Sequence, residues 1–335
     1  MKNKGYSTKA IVEVSLISVI ISVIMIVTGY LPIVSFIGTL ILPIPVAILY
    51  IRHNNKITIT AIVLSIILTS LVYNPIMAIY SAITYSVIGI TLGYCVKNNK
   101  KSSITLLFLA IGSAISIVLT IAFSMLFIEK VSFINFLSNK LEFMKQTMQV
   151  SLEGAKKLYI QGGVTPQQLK LLDENFEMIK KTDVMLLLAV IPTAIYIFSL
   201  ISAYLNYIVS KAVFEKLNYK MDKVLPFSRV YVPNLVGAVL IGMVCIGIIL
   251  SSKQIPGGVF IQNSSQFLVM NVFVINGIAA STYFLRVKRN LSKPIVVLII
   301  VLTMLSPLRN IYFSIGLMEM AFDFRKLDPY RIKRK

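Results

Sequence analysis

The chain has no tryptophan, one histidine, two cysteines and only 13 acidic residues among 335. Each scarcity removes a class of function. The single histidine, His53, sits in the basic run Arg52-His53-Asn54-Asn55-Lys56 and reads as a solvated loop residue. With no second histidine and neither an HExxH nor a GxSxG pattern, no zinc-protease site or catalytic triad is expected. Cys95 and Cys245 both fall inside apolar runs, which argues against a disulfide framework or a thiolate metal site. A GxxxxGK[ST] phosphate loop is also missing, so ATP-driven work would need a separate subunit. No catalytic residue, metal ligand or cofactor is expected, and the chain reads as non-enzymatic.

What is present is apolar residue and positive charge. Hydrophobic residues make up 57% and charged residues 14%, against about 45–50% and about 25% in a soluble domain. This excludes both an ordinary soluble fold and a disordered chain. Lys and Arg number 33, for a formal net charge of +20, but they gather in short clusters between long apolar runs. That distribution belongs to a polytopic membrane protein in a lipid bilayer, with no nucleic-acid partner.

A spanning helix needs about 20 mostly apolar residues. Candidate spans are 11–30, 33–51, 57–73, 75–96, 104–128, 184–210, 230–250 and 264–285. The basic start followed by about twenty apolar residues is too long for a signal-peptide core, so it reads as a retained first span. With the N-terminus in the cytoplasm, 17 basic residues fall in inner connections, while the outer ones near Gly29–Leu31 and Tyr73–Pro75 carry none. The outer segment 129–183 holds eight basic residues, nearly neutralised by seven acids. The expected location is a bacterial inner membrane.

The terminal stretch 295–321 is interrupted at Ser306-Pro307-Leu308-Arg309, and six basic residues follow in 324–335. A ninth span would place that tail outside, against the positive-inside rule. A broken hairpin at Pro307 is the preferred reading, and one kinked ninth span is the alternative. Arg309 and Glu319, ten residues apart, are candidates to pair between the two half-helices. The fold class is thus all-α: eight transmembrane helices plus a broken terminal hairpin or ninth span. Its organisation is a six-span core, 1–210, and a C-terminal membrane segment, 211–335.

Within 129–183, Phe133, Leu137, Leu141, Met144 and Met148 recur at helical spacing. Gly162-Gly163 breaks the pattern. Thr165-Pro166-Gln167-Gln168 then reads as a capping box, leading to Leu169, Leu172, Phe176 and Ile179. An extracytoplasmic helical hairpin follows, acting either as a lid over a cavity or simply packing on itself and the interface.

Small residues four apart, such as Gly89/Gly93 and Gly112/Ser116, mark close helix packing. Tyrosine supplies the interfacial belt in the absence of tryptophan. Tyr80, Thr84 and Tyr85 lie deeper in the fourth span, below Asn74, with Tyr196 at comparable depth in the sixth. If a polar-lined pocket opens outward, Asn74, Tyr80, Thr84, Tyr85 and Tyr196 are its candidate substrate-binding residues.

Three runs carry a family resemblance: Leu40-Ile41-Leu42-Pro43-Ile44-Pro45, Leu225-Pro226-Phe227-Ser228-Arg229, and the closing Gly316-Leu317-Met318-Glu319-Met320-Ala321-Phe322-Asp323-Phe324-Arg325-Lys326. In their order and spacing the chain resembles the YybS-like family, uncharacterised integral membrane proteins of Firmicutes. The first six spans also resemble the substrate-binding S component of energy-coupling-factor transporters. That resemblance implies capture of a small-molecule solute from outside, with energy from a coupling transmembrane subunit and two ATPases. The S-component docking face on the first helix, Ala-xxx-Ala, corresponds here to Ser18 and Ser22. The function expected is a non-catalytic solute-binding or transport subunit. The alternative is a membrane scaffold that docks partners through 211–229 and the basic tail.

Overall fold

Proline and asparagine set several helix starts. Pro32, Pro43 and Pro75 stand at the beginning of three helices, where the missing N–H removes no intrahelical bond. Asn54 caps one more start and Asn74 caps the Pro75 helix, their Oδ1 atoms accepting from Ile57 N at 3.0 Å and from Ile76 N at 2.9 Å. The computed structural model describes residues 8–162, 180–306 and 308–328, together with 170, 174 and 177. Among these, all regular structure is helical.

The α-helices are α1 Thr8–Tyr30, α2 Pro32–Ile41, α3 Pro43–Arg52, α4 Asn55–Ser70, α5 Pro75–Lys97, α6 Ser102–Phe123 and α7 Phe133–Gln161. They continue with α8 Val184–Lys216, α9 Asn234–Ser252, α10 Gly258–Tyr283, α11 Lys293–Met304 and α12 Arg309–Phe322. π-helical turns extend α6 to Glu129 and α10 to Lys288.

Among the described residues, seven helical segments are long and apolar enough to cross a membrane, with α2 and α3 counted together over Ser35–Arg52. The bent pair α11–α12 gives an eighth candidate. Seven of the eight spans expected before the terminal segment are among these candidates, and the third is a shorter apolar helix. There α4 has 16 residues, about 24 Å at ~1.5 Å per residue, short of a hydrocarbon core of about 30 Å. The terminal break is present: α11 and α12 meet at 111°. Pro307 itself lies outside the described residues. Helix α7 occupies the stretch where the first arm of a hairpin is expected, ending where Gly162 N donates to Leu158 O at 2.9 Å. The second arm, from Thr165 through Ile179, lies largely outside the described residues, including its capping box and apolar face.

The chain forms two compact units, 1–132 with 195–224 and 133–194 with 225–335. The division between these units passes through α8.

In the first unit, α1 buries Ser18 and Ser22 while exposing Leu16, Val19, Ile20 and Val23. That inversion of a soluble helix has a plain cause. Lipid tails are as apolar as leucine, so helix pairing rests on close packing and hydrogen bonds rather than on hiding apolar surface. Gly89 and Gly93 on α5 receive α3 in this way. A Cβ on Gly89 would lie 2.7 Å from Val46 Cβ, and one on Gly93 would lie 2.6 Å from Tyr50 Cβ. On α6, Ser116 Oγ donates to Thr84 O of α5 at 3.3 Å, and Ser113 Oγ to Ser202 Oγ of α8 at 3.2 Å.

In the second unit α9 and α10 form an antiparallel pair, and α12 crosses α10 with backbone on backbone. A Cβ on Gly277 would collide with the Tyr312 carbonyl, and one on Gly316 with the Phe273 carbonyl. Only glycine permits such an approach from both sides. Asn276 Nδ2 donates to Gly316 O at 2.8 Å at the same crossing.

Candidate functional site

The first unit encloses a cavity of about 320 Å³ between α1, α2, α4 and the N-terminal half of α5. It lies at the end of the unit whose connections, around Leu31 and Tyr73-Asn74, carry no Lys or Arg. Its rim is built by close approaches. Tyr30 and Tyr73 meet edge to face at 5.4 Å, and Tyr30 OH donates to Val72 O at 3.0 Å. Gly29 leaves room for the Tyr73 ring, which a Cβ would meet at 2.9 Å. Gly38 of α2 sits directly on Thr28 of α1.

At the floor is Tyr85, almost fully buried, its OH 2.8 Å from Ser65 Oγ. Because Ser65 Oγ donates to Ile62 O at 2.7 Å, the phenol is the donor in that pair. Thr69 donates to Met25 Sδ at 3.6 Å, closing the α1–α4 side. Thr84 lies 3.4 Å from Thr120 of α6, tying the wall to the next helix. No Asp, Glu, Lys, Arg or His among the described residues lines this cavity. Among the described residues, the hydroxyls of Tyr73, Tyr80 and Ser81 on its wall meet no hydrogen-bond partner.

Of the residues expected to bind solute, the fold brings Tyr80, Thr84 and Tyr85 together on this wall. Asn74 stands just outside it as the α5 cap, and Tyr196 lies half-buried on α8, off the wall. The contribution of α2, through Ser35, Gly38 and Thr39, was missed. Its signal is a run of small residues that matches Thr28 and Gly29 only once α2 folds back on α1.

Ser18 and Ser22 require correction as docking residues. Ser18 Oγ donates to Ala61 O at 3.0 Å, and Ser22 Oγ to Ser65 O at 3.1 Å, so both are buried against α4. Both hydroxyls are engaged inside the first unit.

The opposite end of the first unit holds a charged cluster. Glu13 on α1 accepts from Arg52, and its other oxygen lies 2.6 Å from His53 Nε2. Arg52 Nε donates to Tyr219 OH at 3.3 Å, and Lys97 Nζ donates to the carbonyls of Tyr50 and His53. His53 is therefore a largely buried staple between helix ends, not a solvated loop residue. Among the described residues, no serine or cysteine side chain is hydrogen-bonded to it, and its acid is already engaged by an arginine.

The family model described as "Predicted membrane protein (DUF2232)" matches residues 19–320, which include every cavity-lining residue. The chain belongs to this family. A relative, "Uncharacterized protein YybS" of Bacillus subtilis (strain 168), is 21% identical over 326 residues, covering 95% of this chain and 98% of that protein. No solved structure matches.

Across the end of the matched region of this DUF2232 member, the closing motif resolves into a buried network in the second unit. Arg325 Nε donates to Glu319 Oε1 at 2.7 Å, Nη2 to Asn276 Oδ1 at 3.0 Å and Nη1 to Ser228 O at 2.8 Å. Asp323 takes a left-handed conformation at the end of α12 and turns the chain back toward Glu319. By sequence Arg325 groups with the basic tail, and Arg309 is a candidate partner of Glu319. Instead Arg309 is exposed and Arg325 is fully buried, because the chain reverses at Asp323.

Proposed function

We propose that this membrane protein is a non-catalytic binding or transport subunit whose first-unit cavity takes a small uncharged solute. The observation that carries the reading is the cavity lining: tyrosine rings and methionines for an apolar body, hydroxyls for a few hydrogen bonds, and no charged side chain among the described residues. A net charge placed there would lose its hydration with nothing to compensate it, whereas about 300–1,000 Å³ is the usual size of a small-molecule pocket. Positive-inside bias supports an N-terminus in the cytoplasm of a bacterial cell and a cavity opening to the outside. Energy for uptake would come from a coupling membrane subunit and ATPases, as in the S components that the first six spans resemble. Such a subunit engages a face other than Ser18 and Ser22.

The test is purification of the full chain in mild detergent, then mass spectrometry of what it retains. An uncharged compound near one per chain is expected, and Ser81→Leu, which fills the cavity, should cut its occupancy by about tenfold or more, the equivalent of ~1.4 kcal/mol. Equal retention by both proteins, or a retained compound with a net charge, would overturn the reading. Impermeant maleimide labelling of Asn74→Cys in intact cells checks orientation and should succeed.

A further inference from the structure

The second unit contains a cavity of about 530 Å³, larger than the one assigned to solute and different in chemistry. Its walls are Phe284 and Leu285 at the π-helical end of α10, and Ile311, Ile315 and Met318 of α12. Tyr312 on the wall is hydrogen-bonded to Thr303. Glu319 also borders the cavity, but it is nearly fully buried and engaged by Arg325.

One rim is strongly basic. Arg286, Lys288, Arg289 and Lys293 follow the wall residues Phe284 and Leu285 within eight positions, and all four are exposed. The Lys288 ammonium lies 5.3 Å from the centre of the Phe284 ring, so the charge reaches the cavity edge itself. Among the described residues, no carboxylate pairs with any of these four bases. The π-turn over Phe284–Lys288 thus holds both the wall residues Phe284 and Leu285 and the exposed bases Arg286 and Lys288.

We propose that this cavity is a site for one anionic phospholipid, its acyl chain between α10 and α12 and its phosphate on Arg286, Lys288 and Arg289. An apolar slot ending at unpaired bases complements a chain ending in a phosphate, and basic pockets at the cytoplasmic ends of membrane helices bind anionic headgroups. A zwitterionic lipid would fill the slot equally well but would gain little from the bases. Free phosphate would meet the bases but leave the slot unfilled.

The lack of tryptophan makes the test direct. Ile311→Trp, at a half-exposed wall position, gives the full chain a single tryptophan, excited apart from its 16 tyrosines. In detergent micelles, phosphatidylglycerol with brominated acyl chains should quench it at about fivefold or lower mole fraction than phosphatidylcholine with the same chains. R286Q/K288Q/R289Q in that background should erase the difference, and millimolar inorganic phosphate should not relieve the quenching. Native mass spectrometry of the unsubstituted chain gives a second measurement, with phosphatidylglycerol retained over phosphatidylcholine. Equal quenching and retention of the two lipids, an unaltered triple variant, or displacement by inorganic phosphate would each overturn the proposal.

Discussion

Replacing Arg325 by methionine tests whether the closing motif is a structural lock on the second unit. The guanidinium is fully buried and Glu319 nearly so. At about 4 Å between charge centres and an effective dielectric of about 20, their attraction is about 4 kcal/mol. The substitution also strips donors from Ser228 O and Asn276 Oδ1, offset in part by the apolar contacts methionine makes. Breaking one side of such a buried pair costs about 3–5 kcal/mol. At ~1.4 kcal/mol per factor of ten, the open state of the α10–α12 contact should become at least about a hundredfold more populated. The assay is thiol labelling of Ala280→Cys, a fully buried position on α10, with Cys95 and Cys245 replaced by alanine. Its labelling rate reports that opening. Glu319→Gln together with Arg325→Met should recover at least half of the loss in free energy, because no uncompensated carboxylate then remains buried. A rate change under about threefold in the single variant, or no recovery in the double, would refute the argument.

Gly277→Ala and Gly316→Ala should each lower thermal stability, since the new Cβ meets a facing carbonyl, whereas Gly242→Ala, with nothing within 4 Å, should be neutral or raise it by up to about 1 kcal/mol. Melting curves in one detergent compare the three. Ser22→Ala should cost about 0.6 kcal/mol, the usual worth of an interhelical hydrogen bond in a membrane, and should leave pull-down of membrane partners unchanged. Tyr85→Phe removes the donor to Ser65 Oγ, so a drop of about 1 kcal/mol in unfolding free energy is expected. His53→Ala should destabilise by loosening the α1–α3 staple, measured as faster proteolysis at the 53–56 connection.

Much of the architecture could be read along the chain. Runs of about 20 apolar residues between basic clusters suffice for a polytopic helical protein, because a bilayer imposes both a length and a charge rule on each segment separately. Helix starts at Asn54, Asn74 and the prolines are equally local, and so is the packing role of Gly89 and Gly93. Tyr80, Thr84 and Tyr85 could be picked out because four-residue spacing puts Tyr80 and Thr84 on one face of α5, with Tyr85 beside them. The sequence by itself therefore determined the class of protein, most spans and one wall of the cavity.

The tertiary structure decided what depends on contacts between distant segments. Ser18 and Ser22 have the spacing of an interface on either an internal or an external partner, and only the position of α4 selects the internal one. The wall from α2 exists because that helix folds back on α1, which no periodicity within 33–51 reports. Glu319 lies ten residues from Arg309 and six from Arg325. The left-handed turn at Asp323 carries Arg325 back to the carboxylate, while Arg309 stays exposed at the start of α12. Hydropathy and charge are properties of a segment, but a buried ion pair or a cavity is a property of how segments meet.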